Sequence, residues 1–143
     1  MENKNSTVYD IVSHNGNHLI FDLGDKYGVD LSQRLFNFAV NIIRFLGTID
    51  YKTEFAVFRN QLSRCGTSMG ANFEEACGST SRKEFISKLS ICLKESRETN
   101  YWMRILNELN LGDEKLREHL AKESLELIKI FITSIKTAKN NLK

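Results

Sequence analysis

The chain has 143 residues, 41% of them hydrophobic and 10% aromatic, which is enough for one domain with a sizeable core. Proline is absent and glycine occurs 8 times, a composition that favours long helices joined by short turns. No apolar run approaches the roughly 18 residues of a membrane span, and the N-terminus lacks the basic and apolar regions of a signal peptide. We therefore expect a soluble, cytoplasmic protein with no membrane partner.

The formal net charge of +2 is unevenly distributed along the chain. Residues 1–30 hold five acids and two bases, a net charge of −3, whereas residues 31–143 hold thirteen acids and eighteen bases, a net charge of +5. The last fifteen residues contain four lysines and no acid. Such a basic end either interacts with the dipole of a terminal helix or binds an anion.

The three cysteines, Cys65, Cys77 and Cys92, form no CxxC pair and have no histidine nearby in sequence. An odd number of cysteines does not indicate a disulfide framework. Two of them fall on apolar stripes, where a reduced cysteine behaves as a small hydrophobic residue. This usage favours a reducing compartment.

Residues 1–29 are predicted to form an irregular N-terminal extension. Residues 8–12 and 19–21 are apolar patches that suit short strands or extended arms, with the turn-forming sequence Asn15-Gly16-Asn17 between them. Two isolated strands are only marginally stable. A hairpin here would have to pack against the helices or against a neighbouring subunit.

Residues 30–143 contain four amphipathic patterns, which predict helices over residues 30–49, 53–77, 82–111 and 113–140. The expected N-caps are Asp30, Ser81 and Asp113, and Gly112 is expected to terminate the third helix. The connection between the third and fourth helices is very short, so these two helices should be antiparallel neighbours. The prediction is an all-α fold, an antiparallel up-down-up-down four-helix bundle, with the extension preceding it.

A row of polar residues accompanies the apolar stripe of the second helix, and another accompanies the stripe of the third. Together the rows contain Gln61, Arg64, Ser68, Asn72, Glu75, Glu95 and Glu98. One interpretation is a satisfied polar network between the two helices or at a subunit boundary, because buried charges are rarely left unpaired. The other is a site for a small ligand or a partner. We expect Arg64 to lie within salt-bridge distance of Glu95 or Glu98.

Gly66 and Gly70 lie four residues apart inside the second helix, where each should cost about 1 kcal/mol relative to alanine. Either a close contact with another helix requires them, or the chain tolerates the cost.

Several of these residues form motifs that resemble a known family. The motifs are Gln61-x-x-Arg64, Ser68-x-Gly70-Ala71-Asn72-x-x-Glu75 with Gly78, Arg82-Lys83-Glu84-Phe85, and Glu95-Ser96-x-Glu98-Thr99 ahead of Leu106 and Leu109. They are similar to four-helix-bundle proteins related to those encoded in intervening sequences of the large-subunit ribosomal RNA gene, and to accessory proteins of diversity-generating retroelements. The resemblance covers roughly residues 30–140. It implies an all-helical bundle, commonly a ring-shaped homopentamer, and contact with RNA or DNA at least in the retroelement branch.

The candidates for nucleic-acid contact are basic residues that lie off the core stripes, namely Arg82, Lys83, Lys88, Arg97, Lys139 and Lys143. Further bases on the fourth helix include Lys115, Arg117 and Lys122. Repeated around a ring, these charges would create a strong field. Their interspersed acids are also typical of an ordinary protein surface. The alternative function is therefore a structural or protein-interaction scaffold that binds a protein partner and no nucleic acid.

Apolar residues outside the main stripes exceed what one bundle core needs, and they predict a homo-oligomer. They are Phe36, Ile43, Val57, Ile86, Tyr101, Trp102 and Ile105. The sequence itself supports only association, and the number five comes from the family resemblance.

The carboxylates of a helical bundle raise the question of a di-iron site, which typically uses Glu-x-x-His motifs. This chain has none: His14 and His18 lie in the irregular N-terminal segment, and His119 stands alone in the fourth helix beside Glu118. No histidine is placed by sequence to activate a cysteine or serine, and no phosphate-binding glycine loop is present. We predict no metal, no cofactor and no enzymatic activity.

Overall fold

The computed structural model describes residues 31–141. Helix α1 spans Leu31–Leu46, α2 spans Ala56–Cys77, α3 spans Arg82–Glu108 and α4 spans Glu114–Asn140, and a 3-10 turn at Thr53–Phe55 precedes α2. Within this part of the chain there is no strand. The predicted cap Asp30 and the N-terminal extension with its hairpin lie outside the described residues.

Consecutive helices pack against each other, and α1 also contacts α4, so the predicted four-helix bundle is confirmed. The antiparallel arrangement of α3 and α4 is visible at three heights. Near the middle, the buried Asn100 Nδ2 donates to Ser124 Oγ at 3.0 Å. At one end, the Arg117 guanidinium donates to Asn107 Oδ1 at 3.1 Å, and at the other Arg82 donates to the carbonyl of Asn141.

The N-termini of α3 and α4 follow the predicted capping chemistry. The Ser81 hydroxyl accepts from the Glu84 N–H at 3.1 Å, and Asp113 Oδ1 accepts from the Leu116 N–H at 2.8 Å. The Glu84 carboxylate reaches one residue further back than a capping box requires, because it accepts from the Thr80 N–H and hydroxyl. The caps thus satisfy the Glu84 and Leu116 N–H groups, which have no partner within their own helices.

The C-termini of two helices differ from the prediction. Helix α1 ends at Leu46, three residues before the predicted end, although Ile49 beyond it is still buried. Helix α3 ends at Glu108 because Asn110 takes a positive φ of 50°, and the Leu111 N–H then bonds the Leu106 carbonyl at 3.1 Å. This is the geometry of a Schellman termination, with asparagine in the position usually held by glycine.

The core consists of the apolar stripes that the sequence shows. The largest fully buried side chains are Phe45, Phe73, Phe85, Phe131, Leu35, Ile42, Leu62, Met69, Leu89, Met103 and Leu106. They come from all four helices and form one continuous cluster. Because each helix contributes one stripe, the remaining faces carry the polar, basic and unpartnered apolar side chains that bear on function.

Candidate nucleic-acid interface and polar network

Arg64 joins helix α2 to two carboxylates of α3, as the spacing of the polar rows predicts. Its guanidinium lies 3.3 Å from Glu95 and 2.5 Å from Glu98. The Trp102 indole N–H also donates to Glu98, at 3.3 Å, and Arg64 makes a longer bond of 3.5 Å to Gln61. Hydrogen bonding by the Arg64 guanidinium lowers the pKa of Glu98 below its usual value.

The rest of the polar row is not part of that network. Asn72 Nδ2 donates to the Ser68 carbonyl and hydroxyl within α2, at 2.9 and 3.0 Å. Glu75 pairs separately with Lys88 of α3. Residues 61–98 therefore contain three local clusters instead of one connected network.

Exposure distinguishes the Arg64 cluster from a buried ion pair. The Arg64 side chain is 52% exposed, while the side chains of Glu95 and Glu98 are 12% and 30% exposed. The cation is thus open to solvent and the carboxylates lie beneath it. This arrangement ties α2 to α3, and its carboxylates are already occupied by Arg64.

Four basic residues come together where residues 82–97 of α3 pack against the second half of α4. Arg97, Lys136 and Lys139 line a groove of about 390 Å³, together with Leu93, Ile132 and Ile135. We call these six residues the basic groove. Arg82 lies at its end, where its guanidinium donates to the carbonyl of Asn141, the residue that follows α4. Among residues 31–141, Arg97, Lys136 and Lys139 form no salt bridge.

The acids nearest the basic groove on α3 are engaged with other groups, and the second half of α4 contains no acid after its start. Glu84 caps the start of α3, and Glu95 faces Arg64 on the side of α2. Helix α4 contains no acid after Glu126, which bonds Lys129 at 2.9 Å. The surface therefore has a net positive charge over this half of the α3–α4 face.

The six predicted nucleic-acid residues occupy different environments. Arg82, Arg97 and Lys139 share the α3–α4 face, and Lys83 is exposed at the start of α3. Lys88 is turned toward α2 and paired with Glu75, so it is less available to a phosphate. Lys143 lies outside the described residues.

The prediction omitted Lys136 from this set. Its spacing of three from Lys139 puts both lysines on one face of α4, a signal that the sequence contained. The position of Arg97 opposite them depends on how α3 packs against α4, which the sequence did not show.

Arg117, which the sequence grouped with the basic surface, is instead buried, with 4% of its surface exposed. Its guanidinium donates to the carbonyls of Leu111 and Gly112 at 2.9 and 3.2 Å, and to Asn107 Oδ1. It therefore satisfies backbone carbonyls of the connection between α3 and α4, and it is not available to a nucleic acid. Periodicity alone does not show this role, because it depends on the tight turn that follows Asn110.

A second polar groove lies between α1 and α4. The Arg34 guanidinium makes two bonds to the Glu123 carboxylate, at 2.5 and 2.9 Å, and Asn37, Asn41 and His119 line the space beside them. This ion pair was not predicted. Its cation and anion neutralise each other, so the groove offers no net charge to a phosphate.

The off-stripe apolar residues separate into two groups. Phe36 is 62% exposed and Ile43 is 51% exposed, and with the half-buried Val40 they form a strip at spacings of four and three on α1. Trp102 and Ile105, in contrast, pack against the core. We call Phe36, Val40 and Ile43 the α1 strip.

Cys65, Cys77 and Cys92 are all buried. Burial raises the pKa of Cys92 to about 12 and raises that of Cys65, so both are protonated at neutral pH. Within residues 31–141, no group of three metal-ligating side chains comes together, and no helix there is long and apolar enough to cross a membrane.

The geometry defines an all-helical bundle protein with a basic groove on one face and an exposed apolar strip on another. Over residues 29–133 the chain matches the family model of the 23S rRNA-intervening sequence protein, and it belongs to that family. It also resembles the crystal structure of a Bacteroides thetaiotaomicron protein of unknown function from the S23 ribosomal protein family. That comparison gives a TM-score of 0.68 and 34% sequence identity, over 75% of this chain and 99% of the other. No curated protein matches the chain.

Proposed function

We propose that this protein is a non-enzymatic homo-oligomer that binds RNA or DNA through the basic groove and the adjacent Arg82. The observation that supports this function is the convergence of Arg82, Arg97, Lys136 and Lys139 on one face. Three of these cations are without a salt bridge to the described residues, so phosphate groups would not have to displace an acid.

The physical character of the groove predicts how it binds. Lysine and arginine contacts to phosphates release counterions and carry no sequence information by themselves. With four cations engaged, the logarithm of the binding constant should fall with the logarithm of salt concentration at a slope of roughly −3 to −3.6. Binding should therefore be tolerant of sequence, and repetition of the groove in an oligomer would strengthen it.

A mobility-shift titration with duplex DNA and a structured RNA at low salt tests the proposal. We expect Lys136→Glu with Lys139→Glu to weaken binding about tenfold or more, because two attractive charges become repulsive. The matched control is Lys115→Glu with Lys122→Glu, which makes the same change in charge on the other half of α4. Melting curves check that both variants fold.

Two results would end this proposal. One is no retention of either nucleic acid at tens of micromolar protein, and the other is equal loss of binding in the groove and control variants. The first would leave the scaffold function, which the exposed α1 strip supports, since a contiguous apolar surface is typical of a protein interface.

The same strip supports the oligomeric part of the proposal. Phe36 and Ile43 are more than half exposed in a single chain, although burying the rest of each side chain would be favourable by about 1–2 kcal/mol. Association of subunits through the α1 strip would remove this surface from water. It would also leave the basic groove, which lies between α3 and α4, open to a ligand.

A further inference from the structure

The basic groove contains more than phosphate binding requires. A phosphate-binding surface needs cations, whereas this groove also has an apolar floor made by Leu93, Ile132 and Ile135. Ile132 is 44% exposed, so part of that floor is open to water. An occupant that satisfies both features would carry large apolar side chains with carboxylates among them.

Residues 19–25 of the same chain have this composition. Their sequence, Leu-Ile-Phe-Asp-Leu-Gly-Asp, combines four large apolar residues with two acids and contains no base. It belongs to the acidic first thirty residues, whose net charge of −3 is opposite in sign to that of the groove. We propose that residues 19–25 dock in the basic groove, with their apolar side chains on its floor and Asp22 and Asp25 against Lys136 and Lys139.

The connection is long enough for docking within one chain. Glu123 of α4 faces Arg34 of α1. Ile132 follows nine residues after Glu123, so at 100° per residue it lies on the opposite side of α4. For a helix about 10 Å wide, the surface path from one point to the other is roughly 20 Å. The eight steps from Leu23 to Leu31 span up to about 28 Å.

Docking would place the segment in competition with nucleic acid, because both would use Lys136 and Lys139. This consequence depends on the proposed function, whereas the docking itself does not. If the segment occupies the groove in about 90% of molecules, the apparent nucleic-acid affinity is reduced about tenfold. The segment would then act as an internal regulator of the basic groove.

Zero-length carbodiimide cross-linking of the full chain tests the docking directly, because it joins a carboxylate to an amine only when they are in contact. We expect Asp22 or Asp25 to be joined to Lys136 or Lys139 at low salt. Substitution of Ile132→Ser, or Phe21→Ser on the other side of the contact, should reduce the yield at least threefold while every reacting group remains present. Val57→Ser is the matched control, since Val57 is 41% exposed on a different helix.

A mixture of isotopically light and heavy protein separates contacts within a chain from contacts between chains. Light–light and heavy–heavy products alone support docking in one chain, whereas mixed products in statistical proportion show that a second copy occupies the groove and overturn the proposal. It is also overturned if the cross-link is absent, or if Ile132→Ser and Phe21→Ser leave its yield unchanged.

The competition is measured separately in the mobility-shift assay. Asp22→Asn with Asp25→Asn should tighten binding of the structured RNA about three- to tenfold at low salt, as expected if the groove is released. Unchanged affinity would exclude the regulatory consequence. If neither form binds RNA, the proposed function fails, and the cross-linking result still decides whether the segment docks.

Discussion

Arg64 holds two carboxylates while about half of its own side chain stays in solvent. The energetic value of such a contact depends on which partner is desolvated. Exposed pairs typically contribute up to about 1 kcal/mol, whereas loss of one member of a fully buried pair costs about 3–5 kcal/mol. Loss of Arg64 would leave the Glu95 carboxylate, whose side chain is 12% exposed, without its partner in a partly desolvated site. The energetic contribution of the contact should therefore lie between these limits.

For Arg64→Ala we expect a loss of about 1–2 kcal/mol in the free energy of unfolding, measured by urea denaturation. A double-mutant cycle with Glu98→Gln isolates the contribution of the pair. An unchanged free energy of unfolding in Arg64→Ala would show that the two helices do not depend on this contact. A loss of 3–5 kcal/mol would show that the cluster is more buried than its exposure indicates.

The same cluster gives stability a pH dependence with a definite sign. The pKa of Glu98 is lowered from the ordinary value of 4.5, chiefly by its hydrogen bond from Arg64. A carboxyl with a lowered folded-state pKa contributes stability above its unfolded pKa and loses that contribution as pH falls through the folded pKa. In denaturation measured from pH 7 down to pH 3, wild type should therefore lose more stability below about pH 4.5 than Glu98→Gln does.

At the scale of the helix, α2 shows how two similar glycines differ once the neighbouring helix is known. A Cβ on Gly66 would lie 2.9 Å from Ile42 Cγ1 and 3.0 Å from Ile42 Cγ2, which is a clash with a fully buried branched side chain. A Cβ on Gly70 would lie 3.6 Å from Leu35 Cβ, an ordinary contact. Of the two explanations open from the sequence, close contact applies to Gly66 and tolerance to Gly70.

Alanine substitutions at these two positions should therefore change stability in opposite directions. Gly70→Ala should stabilise the protein by up to about 1 kcal/mol, the difference in helix propensity between the residues. Gly66→Ala should be net destabilising by about 1 kcal/mol, because overpacking of about 1–3 kcal/mol exceeds the same gain. Thermal or urea denaturation of both variants checks this, and a stabilised Gly66→Ala would contradict the close approach of α1 and α2.

For the whole molecule, the distribution of surfaces separates association from ligand binding. The α1 strip faces solvent on one helix, whereas the basic groove lies between α3 and α4. The two surfaces use no residue in common. A change in the α1 strip should consequently affect assembly first and nucleic-acid binding only through the number of grooves brought together.

Light scattering at micromolar concentration should report a mass several times the 16.5 kDa of one chain, with a pentamer at five times that value. Phe36→Ser with Ile43→Ser should reduce the mass toward that of a monomer, because the apolar surface that favours association is lost. Leu109→Ser is the control, since Leu109 is 53% exposed but lies at the end of α3. A monomeric wild type would refute the oligomer, and loss of assembly in the control would refute the assignment of the interface to α1.

The sequence by itself determined the helical class, the four apolar stripes and two of the N-caps, because these depend on spacing and local hydrogen bonding. Ser81 and Asp113 cap α3 and α4 through contacts three residues along the chain, which periodicity reveals directly. The row spacing likewise placed Arg64 opposite Glu95 and Glu98. The family resemblance gave the bundle a precedent, and the match over residues 29–133 confirms it.

Only the tertiary structure decided which polar and basic residues share an environment. Arg97 meets Lys136 and Lys139 because α3 and α4 run antiparallel at a particular rotation, while Arg117, equally basic in sequence, is buried by the turn after Asn110. Lys88 likewise forms a salt bridge with Glu75 of α2. The period of a helix specifies which residues lie on one face. The partner of that face is set by the packing of segments distant in sequence, and local spacing carries no information about that packing.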